Sequence, residues 1–274
     1  MDVAYRAMLT ATVVALVLMA ARLCGRQLAG LLAGAPLITA PALTWIALDR
    51  GAAASHQAAI GSVVGCVVVA AFALAYDRAA RRTGPLGALA IASAVLALVS
   101  WPAYALLQGS LPAALAASLL ACALALAALP SEEAPVAAAA SPSPANEGRI
   151  AGTALLAGAV SAVIALCGPE LSPTVAGLIA SLPIVGAAAA VAQHMGGTST
   201  SRFWRGYVAG LAVKAAFGAG FAALVVVAHP GYALAGATVL GAMLATLGRH
   251  WFRAGASRPE ARLVSVPCEA GRMS

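Results

Sequence analysis

The sequence predicts an all-α, polytopic membrane protein of about nine transmembrane helices, and three observations carry that prediction. Of 274 residues, 62% are apolar and 9% are charged, against roughly 45–50% and about 25% in an ordinary soluble domain. The apolar residues fall in successive uncharged runs, each near the roughly 20 residues a helix needs to cross the hydrocarbon core. Ala and Leu dominate these runs with no strict period-two alternation, which favours helices over the strands of a membrane barrel.

Taken in order, the first run is 7–23. Small residues near Ala20 give it some likeness to a signal peptide, but the internal repeat described below pairs it with a later span, so it reads as a retained helix. The second run, 28–48, contains Pro36 and Pro41, and the third, 57–76, ends against Arg78, Arg81 and Arg82. Runs 86–107 and 112–129 complete a first unit of five spans, residues 1–129. Residues 130–148, PSEEAPVAAAASPSPANEG, are rich in Pro, Ser and Glu and read as a flexible cytoplasmic linker. Runs 150–166, 173–195, 206–228 and 231–248 form a second unit of four spans, residues 149–250. The polar, basic remainder, 251–274, reads as a disordered cytoplasmic tail.

A net charge of +7 raises the question of nucleic acid, but the arginines sit in short clusters between apolar runs, where a membrane-orientation signal accounts for them. With the N-terminus outside, thirteen arginines fall on the inner side, Arg6 and Arg50 on the outer side, and Lys214 within a span. The asymmetry predicts a multi-pass protein of the inner membrane with its N-terminus outside and its C-terminus in the cytoplasm. Cys24, Cys66, Cys122, Cys167 and Cys268 are scattered singly, without metal-ligand or redox spacing, and read as small apolar fillers.

Two segments recur at similar separation. Residues 61–72, GSVVGCVVVAAF, and 206–217, GYVAGLAVKAAF, share seven of twelve positions. Upstream, GLLAGAPLI at 30–38 matches GLIASLPIV at 177–185, so Pro36 pairs with Pro183, and LCG recurs at 23–25 and 166–168. Five spans in the first unit force the second to enter the membrane the opposite way round. The expected architecture is therefore two inverted-topology repeats, 5+4, a recurrent plan of secondary transporters whose site lies near the midplane.

The stretches PLITAPALTWIALDRG, 36–51, and GPELSPTVAGLIASLPIV, 168–185, resemble a group of uncharacterised bacterial inner-membrane proteins. More distantly, they are similar to the holin-like murein-hydrolase-export proteins and the bile-acid-transporter class. The resemblance implies an inverted-repeat, transporter-like fold in a bacterial inner membrane and implies no substrate.

The candidate substrate-binding residues are Pro36, Thr39, Pro41, Thr44, Ser181, Pro183 and Lys214. A proline inside a helix lacks the N–H and clashes with a carbonyl one turn back, freeing backbone acceptors. In lipid such groups persist where protein or a water-filled cavity covers them. Paired broken helices therefore point to a binding site, with Thr39, Thr44 and Ser181 supplying hydroxyls. The competing reading is an ordinary kink, with each hydroxyl bonded to its own helix. Lys214 is the single charge well inside a span, where insertion costs roughly 2.5–3.5 kcal/mol. Gly206, Gly210 and Gly218 share its helical stripe and aim it into the bundle; snorkelling to the inner surface is the rival reading. Glu170, Gln193, His194, His56 and His229 read as interfacial and solvated, and Trp45, Trp101, Trp204 and Trp251 as belt residues.

No GxSxG, Walker-type loop or His/Cys/Asp constellation is present, so neither enzymatic activity nor a cofactor or metal is expected. The leading expectation is a secondary transporter or exporter of a small, anionic solute, with the site between the second and seventh spans and lined by the eighth. A non-transporting membrane partner, such as a holin-like regulatory component, is the alternative, since no paired acidic groups offer a coupling site. The expected partners are the lipid bilayer and a small-molecule solute, with homo-oligomer assembly left open and nucleic acid excluded.

Overall fold

A computed structural model describes residues 26–130, 170–197 and 199–256, with a few isolated positions nearer the N-terminus. Among the described residues every regular element is an α-helix: α1 (Arg26–Gly34), α2 (Thr39–Ala80), α3 (Pro85–Leu107), α4 (Leu111–Ala128), α5 (Pro173–Ile179), α6 (Ile184–Met195), α7 (Ser201–Val225) and α8 (Pro230–Ala256). Five segments are long and apolar enough to cross a bilayer, namely Gly30–Ala80, Pro85–Leu107, Leu111–Ala128, Pro173–Met195 and Ser201–Val225, and Pro230–Thr246 is a shorter apolar stretch. The sequence-predicted span 150–166, the linker 130–148 beyond Pro130, residues 257–274 and nearly all of span 7–23 lie outside the described residues, whereas 251–256, expected in a disordered tail from 251, continue α8 as helix.

Proline begins several of these helices. Pro85, Pro112 and Pro173 stand in first turns, where the missing N–H has no intrahelical partner to lose. Ser110 and Ser172 then accept hydrogen bonds from Ala113 N and Val175 N, each at 3.4 Å, satisfying one exposed donor at each start. At the other end of α4, Arg205 of α7 donates to the carbonyls of Leu126 and Leu129 at 2.9 and 2.6 Å, closing acceptors the helix cannot satisfy itself.

Spans expected at 28–48 and 57–76 with a loop between them are organised differently. The first breaks at residues 35–38, and its second part runs without a loop into the next helix, making α2 42 residues long. The turn between them is a single residue, Gly51, with φ 82° and ψ 174°, a region essentially restricted to glycine. A Cβ there would meet nothing within 4 Å, so the requirement is conformational rather than steric. Gly51→Ala is expected to cost about 1–3 kcal/mol, read as a lower Tm of the detergent-solubilised protein; an unchanged Tm would show that the bend tolerates a side chain.

The part of α2 after the bend is the centre of the molecule. Val63, Val64, Val68, Val69 and Phe72 are all buried, packed by α3, α4 and α5 and by α7. Helices α2 and α7 run antiparallel. His56 lies against Ala222, Gly218 against Val63, Phe72 against Trp204, and Asp77 against Ser201, so residue numbers rise along one helix as they fall along the other. By contrast, α3, α4 and α8 carry large apolar side chains on their outer faces, among them Leu98, Trp101, Leu106, Leu124 and Tyr232. Such a surface is foreign to a soluble monomer and fits a protein solvated by lipid.

Close approach of helix backbones replaces the missing hydrophobic drive between helices in lipid. A Cβ on Gly30 or Gly34 would overlap the backbone of α7 at Phe203 or Tyr207, and one on Gly177 would overlap that of α2 at Ala58. One on Gly61 would strike Thr174 of α5, and one on Gly210 would strike Leu31 and Gly34 of α1. These crossings seat α1 on α7 and α5 on α2, and so bring the two chain breaks described next to the same level.

Candidate functional site

The first break follows α1. Ala35 N bonds back to Leu32 O at 3.1 Å, Leu37 N to Ala35 O at 2.7 Å, and helix resumes at Thr39 with Ala40 N on Pro36 O at 2.9 Å. The second break follows α5: Ser181 N bonds to Leu178 O at 3.0 Å, Leu182 N to Ile179 O at 3.1 Å, and α6 resumes after Pro183, whose φ and ψ are −80° and 45°. The breaks touch, because Thr39 Oγ1 donates to the carbonyl of Ala180 at 3.2 Å. Each break presents the carbonyl end of one short helix and the amide end of the next, groups with no partner inside their own helices.

A small cavity of about 20 Å³ lies between them, lined by residues 33–35, 37–39, 180–182 and 185, with Tyr207 and Lys214 from α7. That volume holds about one water molecule. Lys214 is 5% exposed. Among the described residues no hydrogen bond or ion pair reaches its ammonium. One turn to either side, Gly210 is pressed against α1 and Gly218 against Val63 of α2, so the glycine stripe holds the lysine in the bundle.

The structure brings some of the sequence-predicted site residues together and separates others. Thr39, Ser181 and Lys214 all line the cavity. Pro36 and Pro183 sit at the two breaks without lining it. Pro41 falls in the first turn of α2, where its missing N–H breaks nothing. Thr44 Oγ1 bonds to Ala40 O of its own helix at 2.9 Å, as a helix hydroxyl commonly does. Ser181 is 2% exposed, with Oγ within 3.2 Å of both Ser62 O and Ser62 Oγ and 3.0 Å from Gly177 O, so it ties the second break to α2.

Several residues expected at the interface lie elsewhere. Trp204 is fully buried, packed edge-on against Phe72, Phe203 and Tyr207 and tilted on Tyr76; α7 turns this face toward α2 rather than toward lipid headgroups. His194 packs edge-on against Tyr76, and its Nδ1 is buried with no hydrogen-bond partner among the described residues. His56 Nδ1 donates across the helix pair to Ala222 O at 2.8 Å, whereas His229 is exposed and accepts from Gly231 N at 3.2 Å. Trp101 and Glu170 are exposed, in keeping with their expected interfacial places.

Asp77 escaped the sequence reading. It is 3% exposed, accepting from Ser201 Oγ at 2.7 Å, Arg81 at 2.8 Å and Thr200 Oγ1 at 3.4 Å. In sequence it stands beside Arg78, Arg81 and Arg82, where a charge ordinarily faces solvent. The signal that could have found it is its position one residue after the apolar run, on the face that carries Phe72 and Ala73.

Comparison with known families, curated proteins and solved structures finds no match to the chain. The chemistry must therefore be read from the site itself. Among the described residues there is no cluster of side chains able to hold a metal ion. What the central site offers is one buried ammonium, because the hydroxyls of Thr39 and Ser181 that line the same cavity are already engaged with protein acceptors.

Proposed function

We propose that this chain is an inverted-repeat secondary transporter of a small anionic solute in a bacterial inner membrane. The observation that carries the reading is the meeting of two helix breaks on a buried lysine that has no counter-ion among the described residues. Broken helices at mid-membrane supply amide ends for anionic groups and carbonyl ends for cations. An unpaired ammonium there is costly unless something brings the opposite charge, and a transported anion does so.

The inverted repeat is supported by reciprocal contacts. In the sequence alignment Gly30 pairs with Gly177 and Gly61 with Gly206. The approach of Gly30 to Phe203 then has its counterpart in the approach of Gly177 to Ala58, and that of Gly34 to Gly210 in the contact of Ser181 with Gly65. Exchange of partners between halves is the mark of a two-fold relation. Because the equivalent helices α2 and α7 run antiparallel, that axis lies in the membrane plane, and the two halves can exchange packing around a fixed site.

The small volume of the central cavity favours a second reading, a non-transporting membrane partner in which Lys214 has a structural task. Purified protein in sealed proteoliposomes separates the two. Chloride, acetate, sulfate and inorganic phosphate are screened first for a rise in Tm, as expected of a ligand that binds the folded state. Flux of the stabilising anion is then measured. Flux that is absent for every anion tested, with no stabilisation, removes the transport reading.

Topology follows from the basic residues. Single cysteines at Arg82 and in the tail are expected to react with impermeant reagents in inverted vesicles and not in intact cells, given the inner-side excess of arginine. Labelling of the tail from outside would overturn the N-out, C-in arrangement.

A further inference from the structure

A second cavity opens beside the arginine-rich ends of α2 and α7. It measures about 240 Å³ and is lined by Asp77, Ala80, Arg81, His194 and residues 199–201. Between it and the Lys214 cavity stands a column of buried rings. His194, a lining residue of the larger cavity, packs on Tyr76 with centroids 6.2 Å apart; Tyr76 packs on Trp204 at 5.4 Å, and Trp204 on Tyr207 at 5.3 Å. Tyr207 in turn lines the central cavity. A chain of ring contacts, contributed by α6, α2 and α7, thus runs from one cavity to the other.

We propose that the larger cavity is the cytoplasmic vestibule of the solute route, and that Tyr76 and Trp204 form the gate that closes it from the Lys214 site. The inference rests on the transport reading above. It has two supports beyond position. The first is that the rings are imperfectly satisfied: Tyr76 Oη, Trp204 Nε1 and His194 Nδ1 are all buried without a hydrogen-bond partner among the described residues. Buried polar atoms in a permanent core are nearly always paired, whereas three unpaired ones along one column stand to gain water or solute contacts when it opens. The second is that the vestibule side is fastened by breakable bonds. Ser201 and Thr200 of the α7 start donate to Asp77 of α2, and Arg81 holds the other carboxylate oxygen. Separation of α2 from α7 at this end releases those bonds and parts Tyr76 from Trp204 in one movement.

The vestibule's Asp77 and Arg81 neutralise each other, leaving hydroxyls and an imidazole, so it admits small hydrophilic solutes of either charge. Selection for anions then falls to Lys214. This gives the ligand class at each stage: any small polar solute in the vestibule, a small anion beyond the gate.

Cysteine accessibility tests this by a readout separate from flux. In full-length protein with Cys24, Cys66, Cys122, Cys167 and Cys268 replaced by alanine, Ser199→Cys reports on the vestibule and Leu37→Cys on the central cavity. Inverted vesicles are treated with an anionic sulfonatoethyl or a cationic trimethylammonioethyl methanethiosulfonate. Ser199→Cys is expected to react readily with both, and Leu37→Cys slowly with either. Shortening the gate by Trp204→Leu, or independently by Tyr76→Leu, is expected to speed Leu37→Cys about tenfold or more, since a gated site reacts in proportion to its open population. The anionic reagent should gain more than the cationic one. The gate is overturned if both variants remain monodisperse and neither speeds Leu37→Cys, or if the gain comes from the opposite face. Accessibility gained in vesicles whose protein moves no anion would leave the gate standing and remove the transport reading instead.

Discussion

Lys214→Met is expected to abolish anion flux while leaving expression and monodispersity close to those of the unmodified protein. Methionine keeps most of the stem volume among Gly210, Gly218 and the breaks and removes the charge. Losing one partner of a buried, hydrogen-bonded charge pair costs about 2–5 kcal/mol, a fall in affinity of about 30-fold or more. Thermal stabilisation by the anion should vanish with the flux. Lys214→Arg is also expected to fail, because a planar guanidinium does not fit a cavity of about 20 Å³. The opposite pattern, with Lys214→Met silent and Lys214→Arg tolerated, is what a lysine reaching the membrane surface would give. Its 5% exposure argues against that.

The largest expected loss of stability comes from the helix crossings. Gly177→Ala places a methyl against the backbone of Ala58, and Gly210→Ala places one against Leu31 and Gly34. Overpacking a core costs typically about 1–3 kcal/mol when side chains can shift. Here the obstacles are main-chain atoms, so each variant is expected at or above the upper end of that range. The measurements are Tm in detergent and the monodisperse fraction on size exclusion. Gly109→Ala is the control, since a Cβ there meets nothing within 4 Å, and it should be neutral. A Gly210→Ala protein with an unaltered Tm would mean that α1 does not pack on α7 as described. Because Gly34 and Gly210 also position Lys214, partial flux in a folded Gly210→Ala variant would show how far the site tolerates separation of those helices.

Much of this molecule is readable from composition and spacing. A chain so apolar and so poor in charge leaves its backbone groups no option in lipid except helix, and prolines at 85, 112 and 173 mark where three helices start. The break at Pro183 follows equally from local chemistry, since a missing N–H interrupts a helix wherever it falls in the interior. Chemistry of that kind travels with the residue, so it can be read along the chain.

Other features depended on neighbours. Pro36 and Pro41 are alike in sequence, yet one sits at a break and the other in a first turn, because the crossing of α1 on α7 decides where the helix resumes. Trp204 and Trp101 are both tryptophans near the end of an apolar run, yet one is wholly buried and the other exposed. Asp77 lies next to Arg78 in sequence, yet its carboxylate is buried against Ser201, 124 residues later. The sequence by itself determined that the chain is helical, apolar and broken at paired prolines. Tertiary structure decided which polar groups face protein, cavity or lipid, because helix rotation and contacts between distant helices set those surroundings, and neither is encoded in a residue's position along its own helix.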